Sequence, residues 1–188
     1  MEQVFFIVIL LAQLAFFGFL IIFLIYFSSS IFVWPPSIPT DKKARREIVG
    51  VIKSRYGATT NFKIVDLGSG YGHLLVDLAK NFKHAEIIGV ELLWLPYLFS
   101  KISAKRFKNI RITKQNLYDH DLSSYNAVIF FLRKDHLVDK KIRAEMKAGA
   151  IIISNNYPLK TFEPLEVKEI SDIFTKRKSR RKIYFYQI

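Results

Sequence analysis

The chain has 188 residues, with 29 Lys and Arg against 16 Asp and Glu, a formal net charge of +13 and no cysteine. Without a thiol there is no disulfide scaffold, no thiolate zinc or iron–sulfur site and no cysteine nucleophile. At 51% hydrophobic and 15% aromatic residues the chain is not of the disordered class.

The charge is segregated. The first 40 residues carry Glu2 alone, and every Lys and Arg comes after them. Residues 4–27 contain no charge and one clearly polar side chain, Gln13; 19 of the 24 are Leu, Ile, Val or Phe. As a helix this run is roughly 36 Å long, against a bilayer hydrocarbon core of about 30 Å. The summed insertion preference predicts a transmembrane helix within residues 1–27. Ser28 and Ser30 would suit a cleaved signal peptide, but the run is long for an h-region and no Lys or Arg precedes it. Lys42, Lys43, Arg45 and Arg46 lie within 20 residues of its end. The positive-inside bias therefore predicts a single-pass cell-membrane protein with its C-terminal domain in the cytoplasm, lying beside anionic lipid. Residues 28–40 read as a linker. Pro35, Pro36 and Pro39 favour an extended path, Trp34 suits the interface, and a dozen residues keep the C-terminal domain near the bilayer.

Residues 41–188 read as one domain. Thr40 is expected to cap a helix with Asp41 as its first-turn acid. Ala44, Ile48, Val51 and Ile52 recur at helical spacing, and the helix ends near Gly57. Strands are predicted at 62–66, 86–90, 110–114, 127–131 and 150–154. Helices are predicted at 72–82, at 92–107 with Pro96 near its start, and at 134–147 before Gly149. Residues 165–175 and 182–188 read as a final strand pair around a basic turn. Lys176, Arg177, Lys178, Arg180, Arg181 and Lys182 form that turn, which reads as a solvated hairpin before it reads as a phosphate grip. The fold class is α/β: a doubly wound, Rossmann-like, seven-stranded sheet, mostly parallel, with an antiparallel C-terminal pair.

The segment carrying chemistry is Ile64-Val65-Asp66-Leu67-Gly68-Ser69-Gly70-Tyr71-Gly72-His73. It leaves the first strand and opens a helix, where open α/β sheets bind ligands. The glycines permit backbone conformations and close approach that a Cβ blocks. Asp66 precedes them, and Glu91 ends the second strand, where an acid can accept ribose hydroxyls. A pyrophosphate wants backbone donors and no nearby anion. Asp66 suits a ligand that presents a cation, and the spacing is G-x-G-x-G rather than G-x-G-x-x-G.

These residues, with Gly89-Val90-Glu91 and the terminal strand pair, resemble class I, seven-stranded S-adenosylmethionine-dependent methyltransferases. The resemblance spans roughly residues 36–188. Pro39-Thr40 before the first helix, an anchor ahead of it and the lack of a large substrate insert are similar to the membrane-tethered protein-lysine methyltransferases related to the mitochondrial ATP synthase c-subunit methyltransferase. The resemblance implies S-adenosyl-L-methionine held by Thr40, Asp66, Leu67, Gly68, Ser69, Gly70, Gly72, Glu91, Leu92, Asn116 and Leu117. Asp66 would take the methionine amino group and Glu91 the ribose. Asn116 stands where the family usually has an Asp near the adenine; an amide still pairs with adenine's edge.

Tyr71, Tyr118, Asn155 and Tyr157 are candidate substrate contacts. The three tyrosines flank the predicted site loops as an aromatic channel for an alkylammonium. Trp94 and Tyr97 are expected to pack the helix after Glu91, and Asp135 to cap the helix after the fourth strand, beside Arg133 and Lys134. His73, His84, His120 and His136 share no metal spacing, methyl transfer needs no metal, and no general base is identifiable. The implied activity is N-methylation of lysine on a membrane-associated protein, with nucleic acid an unlikely partner. The alternatives are methylation of a small amphiphile, such as a lipid amine or quinone precursor, and a non-catalytic scaffold that retains the fold.

Overall fold

A computed structural model describes residues 1–32, 40–57, 59, 61–131, 136–171 and 180–188. The chain divides into two compact units, Met1–Pro36 and Ser37–Ile188. The first contains α1 (Glu2–Phe32), which runs five residues past the predicted end at Phe27. Its stretch Glu2–Phe27 is long and apolar enough to cross a membrane, and none of it is buried. Stacked pairs Phe19–Phe23 and Phe23–Phe27 run along one side at i,i+4 spacing.

In the second unit α2 (Lys42–Tyr56) comes first. Its N-cap is Asp41, not Thr40: Lys43 and Ala44 backbone N–H groups donate to Asp41 Oδ1 at 2.7 and 3.0 Å. A carboxylate at that position satisfies two donors and meets the positive helix end, which outweighs a threonine one residue earlier. The other oxygen, Oδ2, faces Arg181 Nη1 at 3.7 Å. Asp41→Ala should therefore lower unfolding stability by about 1–2 kcal/mol. Asp41→Asn should cost less, because an amide oxygen still caps; urea denaturation measures both.

Next come β1 (Lys63–Leu67), α3 (His73–Asn81), β2 (Glu86–Glu91), α4 (Trp94–Ala104), β3 (Ile110–Lys114), a 3-10 turn over Leu117–Asp119, β4 (Ala127–Phe130), α5 (His136–Glu145), β5 (Ile151–Asn155), β6 (Glu166–Ser171) and β7 (Arg180–Gln187). The strands form one sheet in the order β3-β2-β1-β4-β5-β7-β6. β1 to β5 pair in parallel; β7 runs antiparallel to both β5 and β6.

Each central strand is buried on both faces, which is why it reads as an unbroken apolar run rather than an alternation. On one face Ile64, Ile87, Ile129 and Ile153 pack with Ile48 and Ile52 of α2 and Leu75 and Leu78 of α3. On the other, Val65, Val90, Val128 and Ile152 pack with Val138 and Ile142 of α5. The order reverses between β1 and β4, so a crevice opens at the carboxyl ends of those two strands. Glycines 68, 70 and 72 all lie there.

Candidate active site

The glycine loop is a left-handed turn built on three residues. Gly68, Gly70 and Gly72 have φ of 78°, 55° and 78°, conformations only glycine adopts cheaply. Val90 O of the neighbouring strand accepts from Gly68 and Ser69 N–H at 2.8 and 3.0 Å. Gly89 lets the loop lie against β2: a Cβ there would sit 2.8 Å from Ser69 Oγ and 2.5 Å from Leu75 Cδ1.

Glu91 has a role that its sequence position does not reveal. Its Oε2 accepts from Gly70 N–H at 2.7 Å and its Oε1 from Leu93 N–H at 2.9 Å. The carboxylate thus braces the loop and the entry to α4 at once, while each oxygen keeps a second lone pair for a ligand hydroxyl. The one available signal is its place directly after β2's apolar run, opposite three glycines.

Asp66 is 7% exposed and points to the face of the sheet that α2 and α3 cover, by alternation from Ile64. No hydrogen bond or ion pair reaches its carboxylate among the described residues. Burial first, and then the nearby Glu91 charge, raises its pKa from 3.8 to about 7. The Ser69 hydroxyl is also buried without a partner. A buried acid left unpaired beside an unpaired hydroxyl is costly for the protein alone. It fits a ligand that brings an ammonium group, so these residues suit a sulfonium amino acid.

The remaining candidates separate. Thr40 turns its carbonyl to Arg45 Nη1 at 2.6 Å, and Arg45 Nε pairs with Asp77 at 2.7 Å, tying α2 to α3. Leu67 belongs to the α5-side core, whereas Leu92 is exposed. Asn116 Oδ1 accepts from Tyr118 N–H at 3.1 Å, capping the 3-10 turn, which leaves its NH2 for other partners. Leu117 and Tyr118 pack against the α5-side core. Tyr71 lies by Phe99 and His73, its ring 6.0 and 6.5 Å from theirs. Tyr157 stacks on Phe131 at 6.3 Å, and its carbonyl accepts from Ser154 Oγ.

At the end of β5, Asn155 is fully buried, and both polar atoms of its amide lack a partner. Asn156, with φ of 77°, turns the chain sharply just after it.

Two further expectations differ from the structure. Trp94 does not pack inward: it is 53% exposed, because Pro96, Ser100 and Ala104 hold the inner face of α4. Arg181 is not part of a solvated turn. It faces Asp41 and lies 5.9 Å over the Phe131 ring, neither of which sequence spacing reveals. Arg133, Lys134 and Asp135, and the basic residues 176–178, lie outside the described residues. His120 is structural: its ring nitrogens meet Gln115 Oε1 and the Tyr125 hydroxyl at 3.1 and 2.8 Å, and burial lowers its pKa.

A parallel sheet reversing at β1/β4, a glycine loop and two buried acids define a Rossmann-like methyltransferase fold. Residues 66–166 match the ANTKMT methyltransferase domain, and the chain belongs to that family of S-adenosylmethionine-dependent methyltransferases. A curated protein-lysine N-methyltransferase of Saccharolobus islandicus is 26% identical over 144 residues, covering 73% of this chain and 86% of the relative. Among solved structures, an RNA methyltransferase of Salinibacter ruber in complex with S-adenosyl-L-homocysteine superposes with a TM-score of 0.66 at 18% identity, over 80% of this chain and 94% of the other. A precorrin-6y C5,15-methyltransferase of Geobacter metallireducens gives 0.63 at 15% identity, over 82% and 92%. At such identities the two structures speak for the fold.

Proposed function

We propose that the chain is a membrane-anchored protein-lysine N-methyltransferase. The observation that carries the choice of acceptor is the lysine-methylating relative, most of whose length this chain matches at 26% identity. The anchor is supported by α1, which is apolar on all sides and buries none of its span.

The residues divide by task. Asp66 and Ser69 would hold the amino-acid end of the methyl donor, the glycine loop its middle and Glu91 its ribose, with Asn116 and Leu117 at the base. Bound there, the donor supplies an electrophilic methyl group. What remains for the protein is position and proton state. A lysine must reach the crevice as the neutral amine, and an apolar, dehydrated entry favours that form. Phe131 and Tyr157 stack at the ends of β4 and β5 and suit the aliphatic stem and the cation that departs after transfer. Asn155, beside them in sequence register, would accept an N–H from the incoming amine through its free amide oxygen, fixing the lone pair toward the donor.

Incubating the full chain in detergent with methyl-labelled donor and isolated membranes tests this. Label should enter protein and be recovered as methyl-lysine after hydrolysis. Label confined to the lipid extract overturns the choice of acceptor. No label despite donor binding overturns catalysis.

A further inference from the structure

Eight large hydrophobic side chains of the second unit are exposed among the described residues. Five of them cluster on or beside one helix: Leu92, Trp94, Leu98, Phe99 and Ile102. Trp94, Leu98 and Ile102 succeed one another at i,i+4 spacing, about opposite the inner face of Pro96, Ser100 and Ala104. Ile102 is 63% exposed. The outer face of a surface helix is ordinarily polar; α4 is apolar there as well. Along this part of the chain the charge has one sign. Residues 92–118 contain six Lys and Arg and no acid, and Lys101, Lys105 and Arg106 are exposed at the stripe's edge and end.

We propose that this outer face of α4 docks on an anionic lipid surface. Trp94, Leu98 and Ile102 enter the headgroup boundary, and Lys101 and Lys105 meet lipid phosphates. Tryptophan with long aliphatic side chains, flanked by lysines, is the composition of helices that lie in a membrane interface. A second copy of the chain is disfavoured as occupant, because it would bring the same cations face to face. The inference deepens the membrane reading above by naming a second contact besides α1, and it is independent of which acceptor is methylated. Its consequence concerns the site. α4 starts at the residue after Leu93, whose N–H Glu91 holds, and Phe99 touches the Tyr71 ring of the glycine loop. Docking therefore presents the rim of the crevice to the bilayer surface, where side chains of membrane proteins emerge.

The chain has two tryptophans, Trp34 and Trp94, so the full chain carrying Trp34→Phe reports Trp94 alone. It is reconstituted into brominated-lipid vesicles of phosphatidylcholine, with or without phosphatidylglycerol. Trp94 emission should be quenched with phosphatidylglycerol and recover with high salt. Lys101→Glu and Lys105→Glu should each lower the docked-to-undocked ratio roughly fivefold. Leu98→Glu with Ile102→Glu should abolish quenching while circular dichroism and donor binding stay unchanged. Trp94 that remains unquenched in phosphatidylglycerol vesicles, on protein that floats with them, overturns the docking and leaves the anchor standing. Quenching on added vesicles by protein that does not float when reconstituted overturns the anchor and leaves the docking standing. The lack of native cysteine makes Ile102→Cys a unique handle. Efficient cross-linking between copies through it, without lipid quenching, overturns the proposal in favour of a dimer face.

Discussion

Asp66→Asn should weaken binding of S-adenosylmethionine by roughly 10- to 150-fold, the worth of one hydrogen bond to a charged group, and should flatten its pH dependence. In the wild type, Asp66 titrates near 7 because it is buried and faces Glu91. Its ionised form is the one that a cationic amino group pairs with. Below about 7 the donor must displace a proton, so affinity should fall by up to about tenfold per pH unit. Calorimetry across that range reads both effects. An equal slope in Asp66→Asn would remove Asp66 from the donor's ammonium.

The sign for folding is the opposite. An acid whose native pKa lies above its unfolded value keeps a proton that the unfolded chain has released. The ligand-free protein should therefore lose stability as pH rises from about 3.8 to about 7 and then level off. Asp66→Asn should be flatter across that window and more stable at its upper end. Melting temperatures with and without the donor should diverge as pH rises, because the donor offsets the cost of ionising Asp66.

The strands were legible where burial on both faces forces continuous apolar sequence. Residues 110–114 are β3 without a shift, and β1, β4 and β5 end within one residue of expectation. The crevice was legible because glycines at 68, 70 and 72 have no role in a helix or a strand, so they must serve a turn. What escaped are contacts made across long sequence separations. Arg181 is far in sequence from Asp41 and Phe131, and no local pattern tells a half-buried, paired arginine from its solvated neighbours. Glu91 looked like a ligand for ribose alone, because backbone donors carry no sequence signature. Trp94 and Tyr97 are expected to pack the helix after Glu91, yet the inner positions of α4 are Pro96, Ser100 and Ala104. At Ser100 the space is limited by Gly72, where an added Cβ would already sit 2.9 Å from Ser100 Cβ. The short 3-10 turn at Leu117–Asp119 depends on one Asn116 cap and leaves no periodicity.

Gly72→Ala and Gly70→Ala should separate folding from binding within the same loop. At Gly72, φ is +78° and a Cβ would sit 2.9 Å from Ser100 Cβ and 3.3 Å from its Cα. Ser100 is wholly buried, so α3 and α4 must move apart. Left-handed strain of about 1–2 kcal/mol adds to about 1–3 kcal/mol of overpacking, a melting-temperature drop on the order of 10 °C. At Gly70, φ is +55° and a Cβ meets nothing within 4 Å, so only the strain remains and the fold should hold. That empty space is the passage expected for the donor, and Gly70 N–H is the one Glu91 fixes. Gly70→Ala should thus lose donor affinity out of proportion to its small stability loss, and Gly72→Ala the reverse. Thermal melts paired with donor titrations decide it: a Gly70→Ala protein that melts nearly as the wild type and binds the donor equally well would mean that the donor does not pass along this loop.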